Sequence, residues 1–407
     1  MLYQSYQTHS ELAWPLRTAA KFAAPLWDSG KQSALGHAAR TARTLSAACR
    51  LMELAEVTHR RPPWRIDSLQ VAGQEVAVTE EVVQRTPFAT LLRFRKSDTP
   101  VQPKLLVVAP MSGHFATLLR DTVRTVLQDH DVYVTDWHNV RDVPLSEGRF
   151  GLDEYTQTLM DFMAALGPGH HVIAVCQPCV AALAAVALMS EDQHPAIPAS
   201  LTLMAGPIDC RISPTAVNKL ANEKPIEWFR SHLISTVPWS HAGAGRQVYP
   251  GFVQLSAFMS MNKERHVNAF RDYYQHLVAD EFDKAEVTRM FYEEYLAVAD
   301  LAADFYLETV SQVFQQYLLA KGEMCFRGRK VNPAAIRRTA LLTVEGERDD
   351  ICAIGQTLAA QELTSSLRPY MRTHYVQPGV GHYGVFSGKR WQNHIYPLVR
   401  DVIHVSG

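Results

Sequence analysis

Three side chains in this sequence are spaced and placed to do nucleophilic chemistry together. Cys176 follows an apolar run, residues 171–175, and precedes a small-residue run that begins at Pro178. That pattern predicts a strand, a sharp turn carrying the cysteine, and a helix. A helix N-terminus presents positive partial charge, which favours the thiolate, the attacking form of cysteine. Pro178 suits a first helical turn, where its missing N–H costs nothing. Asp349 comes three positions after Gly346, which closes another apolar run, so its carboxylate is expected in a loop at a strand's C-terminal end. His382 lies between Gly381 and Gly384 just after a last strand-like segment. A nucleophile, an acid and a histidine in that order can form a triad in which the histidine moves the proton and the acid orients it.

Other readings compete at each position. Cys176 could be a buried structural thiol, since free cysteine is often core. The run Cys176-Gln177-Pro178-Cys179 also has redox C-x-x-C spacing, although it follows several strands and does not open a small module. A zinc site would need a second ligand pair. The sequence has neither another C-x-x-C nor an H-E-x-x-H, so no metal is expected. Gly243, Gly245 and Arg246 lack both a third glycine and a preceding strand, so no dinucleotide cofactor is expected either. Asp350 rivals Asp349; the spacing from Gly346 favours Asp349 and leaves Asp350 to begin the next helix. Backbone N–H groups of Gln177 and Met111 are the candidate oxyanion hole. Gln177 follows the nucleophile, and Met111 follows the strand at 105–110.

The elements that must position these groups read as a parallel α/β architecture. Segments 76–83 and 89–96 look like half-buried strands. Runs at 105–110, 131–137, 171–175, 200–206, 340–346 and 373–379 look like buried strands, the earlier ones separated by helices. Strands without strict alternation, interleaved with helices, imply a sheet covered on both faces. With nucleophile, acid and histidine in this order, the expected class is an α/β-hydrolase fold: a mostly parallel sheet, helices on both faces and a helical cap insertion. The expected division is an N-terminal helical segment (1–60), a core (61–209 and 336–407) and a cap (210–335). Within the cap, apolar and small residues from Phe291 to Tyr317 recur at helical spacing, which predicts an amphipathic helix over 285–319. Cap aromatics such as Trp228, Trp239, Tyr249, Phe252, Tyr273 and Tyr274 divide between core and a surface for an apolar ligand.

Bulk composition excludes several classes. Lys and Arg number 40 against 41 Asp and Glu, a net charge of −1, so nothing points to nucleic acid. Six scattered cysteines do not make a disulfide scaffold and read as reduced thiols. The N-terminus lacks the pattern of a signal peptide, and no apolar run approaches the roughly 18–20 residues that span a bilayer. A cytoplasmic protein is the expectation. The oligomeric state is left open, a homodimer included.

Longer segments resemble the intracellular polyhydroxyalkanoate depolymerases, which mobilise stored poly(3-hydroxybutyrate). The likeness lies in residues 109–123 (APMSGHFATLLRDTV), 132–155, 175–180 (VCQPCV), 204–221, 237–239, 243–266 and 378–391 (PGVGHYGVFSGKRW), and so spans nearly the whole chain. In that family Cys-Gln-Pro stands where most α/β-hydrolases carry Ser-x-Gly. The resemblance places the nucleophile on Cys176, the acid on Asp349 and the base on His382, and matches Cys179 to no catalytic position. It implies hydrolysis of a granule-stored polyester through a thioester, releasing 3-hydroxybutyrate oligomers or monomers. A thioester can also pass its acyl group to coenzyme A, with Arg327, Arg329, Lys330, Arg337 and Arg338 as candidate phosphate contacts. A catalytically weak protein that coats storage granules is the alternative from another class.

Overall fold

The computed structural model describes residues 2–33, 37–71, 73–97, 100–261 and 263–407. Nine strands form one sheet: β1 (Ser68–Val71), β2 (Gln74–Arg85), β3 (Ala89–Lys96), β4 (Lys104–Val108), β5 (Asp131–Trp137), β6 (His171–Val175) and β7 (Ser200–Met204), with β13 (Ala340–Gly346) and β14 (Arg372–Gln377). The intervening β8 (Ser235–Thr236), β9 (Gln247–Tyr249) and β10 (Leu301–Ala302) make a small separate sheet, and β11 (Cys325–Phe326) pairs with β12 (Arg329–Lys330) as a hairpin.

The order in the large sheet is β1-β2-β3-β5-β4-β6-β7-β13-β14. The first three pairings, up to β3 with β5, are antiparallel, and the rest are parallel. From β2 onward this is the α/β-hydrolase strand order, with β1 added as an edge hairpin. Residues of β6, β7 and β13 are buried throughout. That is why those segments are continuous apolar runs: helices cover both faces, so neither face needs polar residues. At the antiparallel end β2 faces water beyond its first half: Val76 and Val78 are buried, while Val82 and Val83 are exposed.

The chain passes from β4 to β5 on one side and returns to β6 on the other. The C-terminal ends of β4 and β6 are therefore adjacent, with their following loops diverging into a crevice, the usual ligand position in open α/β sheets. The helix Pro178–Glu191 leaves β6 with every residue from Pro178 to Met189 buried. Its alanines let it lie close to the sheet.

Between β7 and β13 the chain leaves the sheet and builds an overhanging layer. Its helices Lys263–Val278 and Phe282–Tyr295 form a second core with Ala47 and Leu54 of the N-terminal helix His37–Leu54. Tyr6 stacks on Phe252 with ring centroids 3.9 Å apart. The expected single helix over 285–319 is wrong. Helix Phe282–Tyr295 stops, residues 296–300 run as buried irregular chain, and a short helix Ala303–Glu308 continues into a π-helical turn. Asp300 explains the break. Its carboxylate accepts the Tyr3 hydroxyl (2.6 Å) and the Gly251 N–H (2.9 Å), and its own N–H donates to Asn139 (3.0 Å). Between its helical parts the apolar stripe persists through residues 296–302 because this chain crosses a core. Among the described residues no helix is long and apolar enough to cross a membrane.

Candidate active site

Cys176 sits where β6 ends and the helix begins, with φ +67°. Non-glycine residues rarely adopt this left-handed conformation, which costs about 1–3 kcal/mol and persists only where surroundings enforce it. Here the Cys176 N–H donates to Met204 O on β7 (2.7 Å), and Cys176 O accepts the Cys179 N–H (3.1 Å). Close packing reinforces the turn. A Cβ added to Gly206 would lie 2.2 Å from Cys179 Cβ and 3.2 Å from Cys176 O, so only glycine fits beneath it.

His382 and Asp349 come from the loops after β14 and β13. His382 Nδ1 lies 2.7 Å from Asp349 Oδ2. The other carboxylate oxygen accepts the backbone N–H groups of Ile351 (2.9 Å) and Cys352 (2.8 Å), which lock the acid's orientation. With Nδ1 engaged, Nε2 is the ring nitrogen left to serve Cys176, which lies near enough to act electrostatically on the ring. Burial alone would favour neutral histidine, but the proximity of Cys176 and Asp349, and the hydrogen bond to Asp349, outweigh it and hold the His382 pKa well above its ordinary value. The fold thus brings Cys176, His382 and Asp349 into one neighbourhood, with His382 and Asp349 in direct contact. Asp350 is exposed and takes no part in it.

The two cysteines of the C-x-x-C differ. Cys176 is half-buried and free, while Cys179 is fully buried. The Cys179 thiol donates to Ala174 O (3.3 Å), and burial pushes its pKa well up. Its surroundings are those of a core thiol.

Gln177 N–H opens the helix, and Met111, itself buried, lies on the loop after β4. Neither N–H has an acceptor among the described residues. The Gln177 side-chain oxygen is also buried without a partner. The same loop carries His114, whose Nε2 contacts Tyr295 O at 3.1 Å and so ties the overhanging layer to the crevice. Gly113 in this loop has φ +90° and packs against Gln254.

A cleft of about 600 Å³ opens above His382. Phe258, Phe291 and Tyr295 line it from the overhanging helices, and Ile351, His382 and Tyr383 from the two loops. Of Cys176, His382 and Asp349, His382 alone lines this cleft. The sequence does not single out Tyr383 or Arg265, and it marks Tyr295 only as part of the apolar stripe over 285–319. Tyr383 carried a signal, standing directly after His382. The others come from helices whose orientation no local pattern records.

Several other sequence candidates have structural duties. Arg246 is buried and donates to Val143 O (2.9 Å), Gly148 O (2.8 Å) and Pro144 O. Arg329 pairs with Glu191 (2.6 Å) and Asp192 (2.8 Å). Those acids close the helix that Cys176 begins, about 20 Å away at 1.5 Å per residue. Tyr249, Phe252 and Tyr273 are core, Trp228 and Tyr274 are half-buried, and Trp239 is 91% exposed. Among the described residues no group of His, Cys, Asp and Glu could hold a metal ion.

Residues 205–406 match the family model described as PHB de-polymerase C-terminus. That span holds Asp349 and His382 but begins after Cys176. No curated relative matches the chain. Among solved structures, the chain is similar to 2-hydroxy-6-oxo-6-phenylhexa-2,4-dienoate hydrolase from Rhodococcus sp. strain RHA1, at 12% identity over 81% of this chain and 99% of that one, TM-score 0.46. It is also similar to a thermophilic esterase from Thermogutta terrifontis, at 12% identity over 83% and 97%, TM-score 0.39. The strand order, independently of these likenesses, identifies the fold.

Proposed function

We propose, on the premise that the chain belongs to the PHB depolymerase family of α/β-hydrolases and is therefore an ester hydrolase, that it cleaves stored polyester through a thioester on Cys176. The observation that carries this reading is the strained turn at Cys176 (φ +67°) beside a histidine held by Asp349 at 2.7 Å. His382 Nε2 takes the thiol proton, and the sulfur attacks the ester carbonyl. The Gln177 and Met111 N–H groups receive the oxyanion, donors of a kind worth about 10²–10³ in rate. The intermediate collapses to a thioester as the hydroxyl end leaves with the proton from His382. Water, deprotonated by His382, then attacks the thioester and restores the thiol, releasing 3-hydroxybutyrate oligomers or monomers. Asp349 keeps the ring's orientation and tautomer throughout.

The reading extends to residues 210–335 as a cap over the site, and to a cytoplasmic enzyme working on storage granules. A reducing compartment suits a chain whose nucleophile must remain a thiol, and all six cysteines are free. Transfer to coenzyme A gains no support from the Arg327–Lys330 hairpin, because Arg329 is committed to two acids far from Cys176.

The test is acyl trapping. Brief exposure to a short activated 3-hydroxybutyrate ester, acid quenching and peptide mass analysis should find the acyl mass on the peptide holding Cys176. Turnover without any such adduct, in wild type and in a slowly deacylating variant, would remove the thioester from the mechanism.

A further inference from the structure

The cleft over His382 has an apolar wall and a cationic mouth. Phe291 and Val287, 40% and 71% exposed, carry the wall outward from Tyr295 towards solvent. Arg265, from the helix Lys263–Val278, and Arg348, from the loop before Asp349, line the same space. Neither guanidinium forms an ion pair or side-chain hydrogen bond among the described residues. The other polar groups there leave the positive charge standing. Asp350 brings one carboxylate, and His266 is kept neutral by burial and by the charge of Arg265.

We propose that Arg265 and Arg348 form a carboxylate-recognition site at the mouth of this cleft, so that the enzyme acts preferentially on short oligoesters ending in a free carboxylate. This rests on the ester-hydrolase reading of Cys176 and His382 and names the form of substrate that their site takes. A polyester interior is neutral and offers an arginine only weak ester acceptors. Its cut end is a carboxylate, which guanidinium groups bind through charge-assisted hydrogen bonds about twice as strong as neutral ones. The methyl-bearing chain leading from that end would lie along Val287 and Phe291. A space of about 600 Å³ lies in the range that encloses a drug-sized molecule, which fits a few hydroxyacid units and not a long strand.

The experiment compares the 3-hydroxybutyrate trimer as free acid with its methyl ester, which lacks the terminal charge and carries one added methyl group, and follows initial cleavage of the internal ester bonds alone. Wild type should favour the free acid by about tenfold in kcat/KM, mainly through KM. In Arg265→Gln and Arg348→Gln the ratio of the two substrates should fall towards one, and Arg265→Lys should keep much of it, because the charge remains. Salt should lower the ratio in wild type. Equal rates on both trimers in wild type, or a ratio unmoved in both glutamine variants, would overturn the carboxylate site while leaving the hydrolase reading intact. No hydrolysis of either trimer by wild type, with amorphous polymer also untouched, would instead strike the hydrolase reading itself. Cleavage of amorphous polymer at undiminished rate by a wild type that ignores the trimers would overturn the preference alone.

Discussion

The turn at Cys176 and the layer that overhangs it are built by opposite means. Main-chain groups dictate the turn: Cys176 N–H to Met204 O, Cys179 N–H to Cys176 O, and a glycine at 206 because nothing larger fits. Side chains dictate the layer. Tyr295 packs on His266 with centroids 5.1 Å apart and on Phe291 at 5.3 Å, while Tyr292 packs on Phe270 at 4.4 Å and accepts or donates a 2.8 Å hydrogen bond with His266. Backbone constraints hold one atom to a fixed place, which suits a nucleophile. Ring packing instead sets a whole surface, held by side chains from several helices.

That contrast is tested most severely within the turn. Cys176→Ala should lower ester turnover by about 10³-fold or more, the scale of losing a triad member. Cys179→Ala should keep most of it, because the Cys179 thiol only meets backbone carbonyls. Steady-state rates on a short ester decide this. Equal losses in the two variants, or activity governed by a reversible disulfide between them, would make the turn a redox device.

The acid comes next. Asp349→Asn should cost about 10²–10⁴-fold in kcat by disturbing the His382 tautomer, whereas Asp350→Asn should cost little. The reverse pattern in the same assay would mean that the contact between Asp349 and His382 is not the catalytic one.

A third measurement compares the regions directly. Tyr273→Ala removes a buried ring and should destabilise the overhanging layer by about 3–5 kcal/mol, seen as an early step in denaturant unfolding. Gly206→Ala should cost about 1–3 kcal/mol through overpacking, yet reduce acylation of a small ester far more than Tyr273→Ala does. If the two variants lose acylation in proportion to stability, the turn and the layer are not separable. At the small end, Trp239→Ala should shift stability by no more than about 0.5 kcal/mol, since the ring is almost wholly in solvent. A loss of polymer binding in that variant without loss of stability would place adhesion at Trp239.

Much of this architecture was legible residue by residue. The runs at 131–137, 171–175 and 340–346 are strands with those same limits, since continuous apolar runs of that length between turn residues have few alternatives in a covered sheet. Pro178 begins its helix as expected. The stretch 285–319 misled because packing across a core and packing along a helix leave similar apolar spacing, and Asp300, polar in type, is wholly buried by partners at positions 3, 139 and 251.

Local sequence therefore determined what depends on neighbours along the chain: the strand that ends at Cys176, the helix that starts at Pro178, the loop that offers Asp349 and the glycines around His382. Tertiary structure alone decided what depends on distant partners. It turned Asp349 towards His382 and left Asp350 in water, buried Cys179 against Gly206 while leaving Cys176 accessible, and carried Arg265 from a distant helix to the cleft above His382. The physical reason is the range of the forces involved. Strand and turn preferences act within a few residues, whereas the pairing and desolvation of a side chain depend on whichever segments the folded sheet brings beside it.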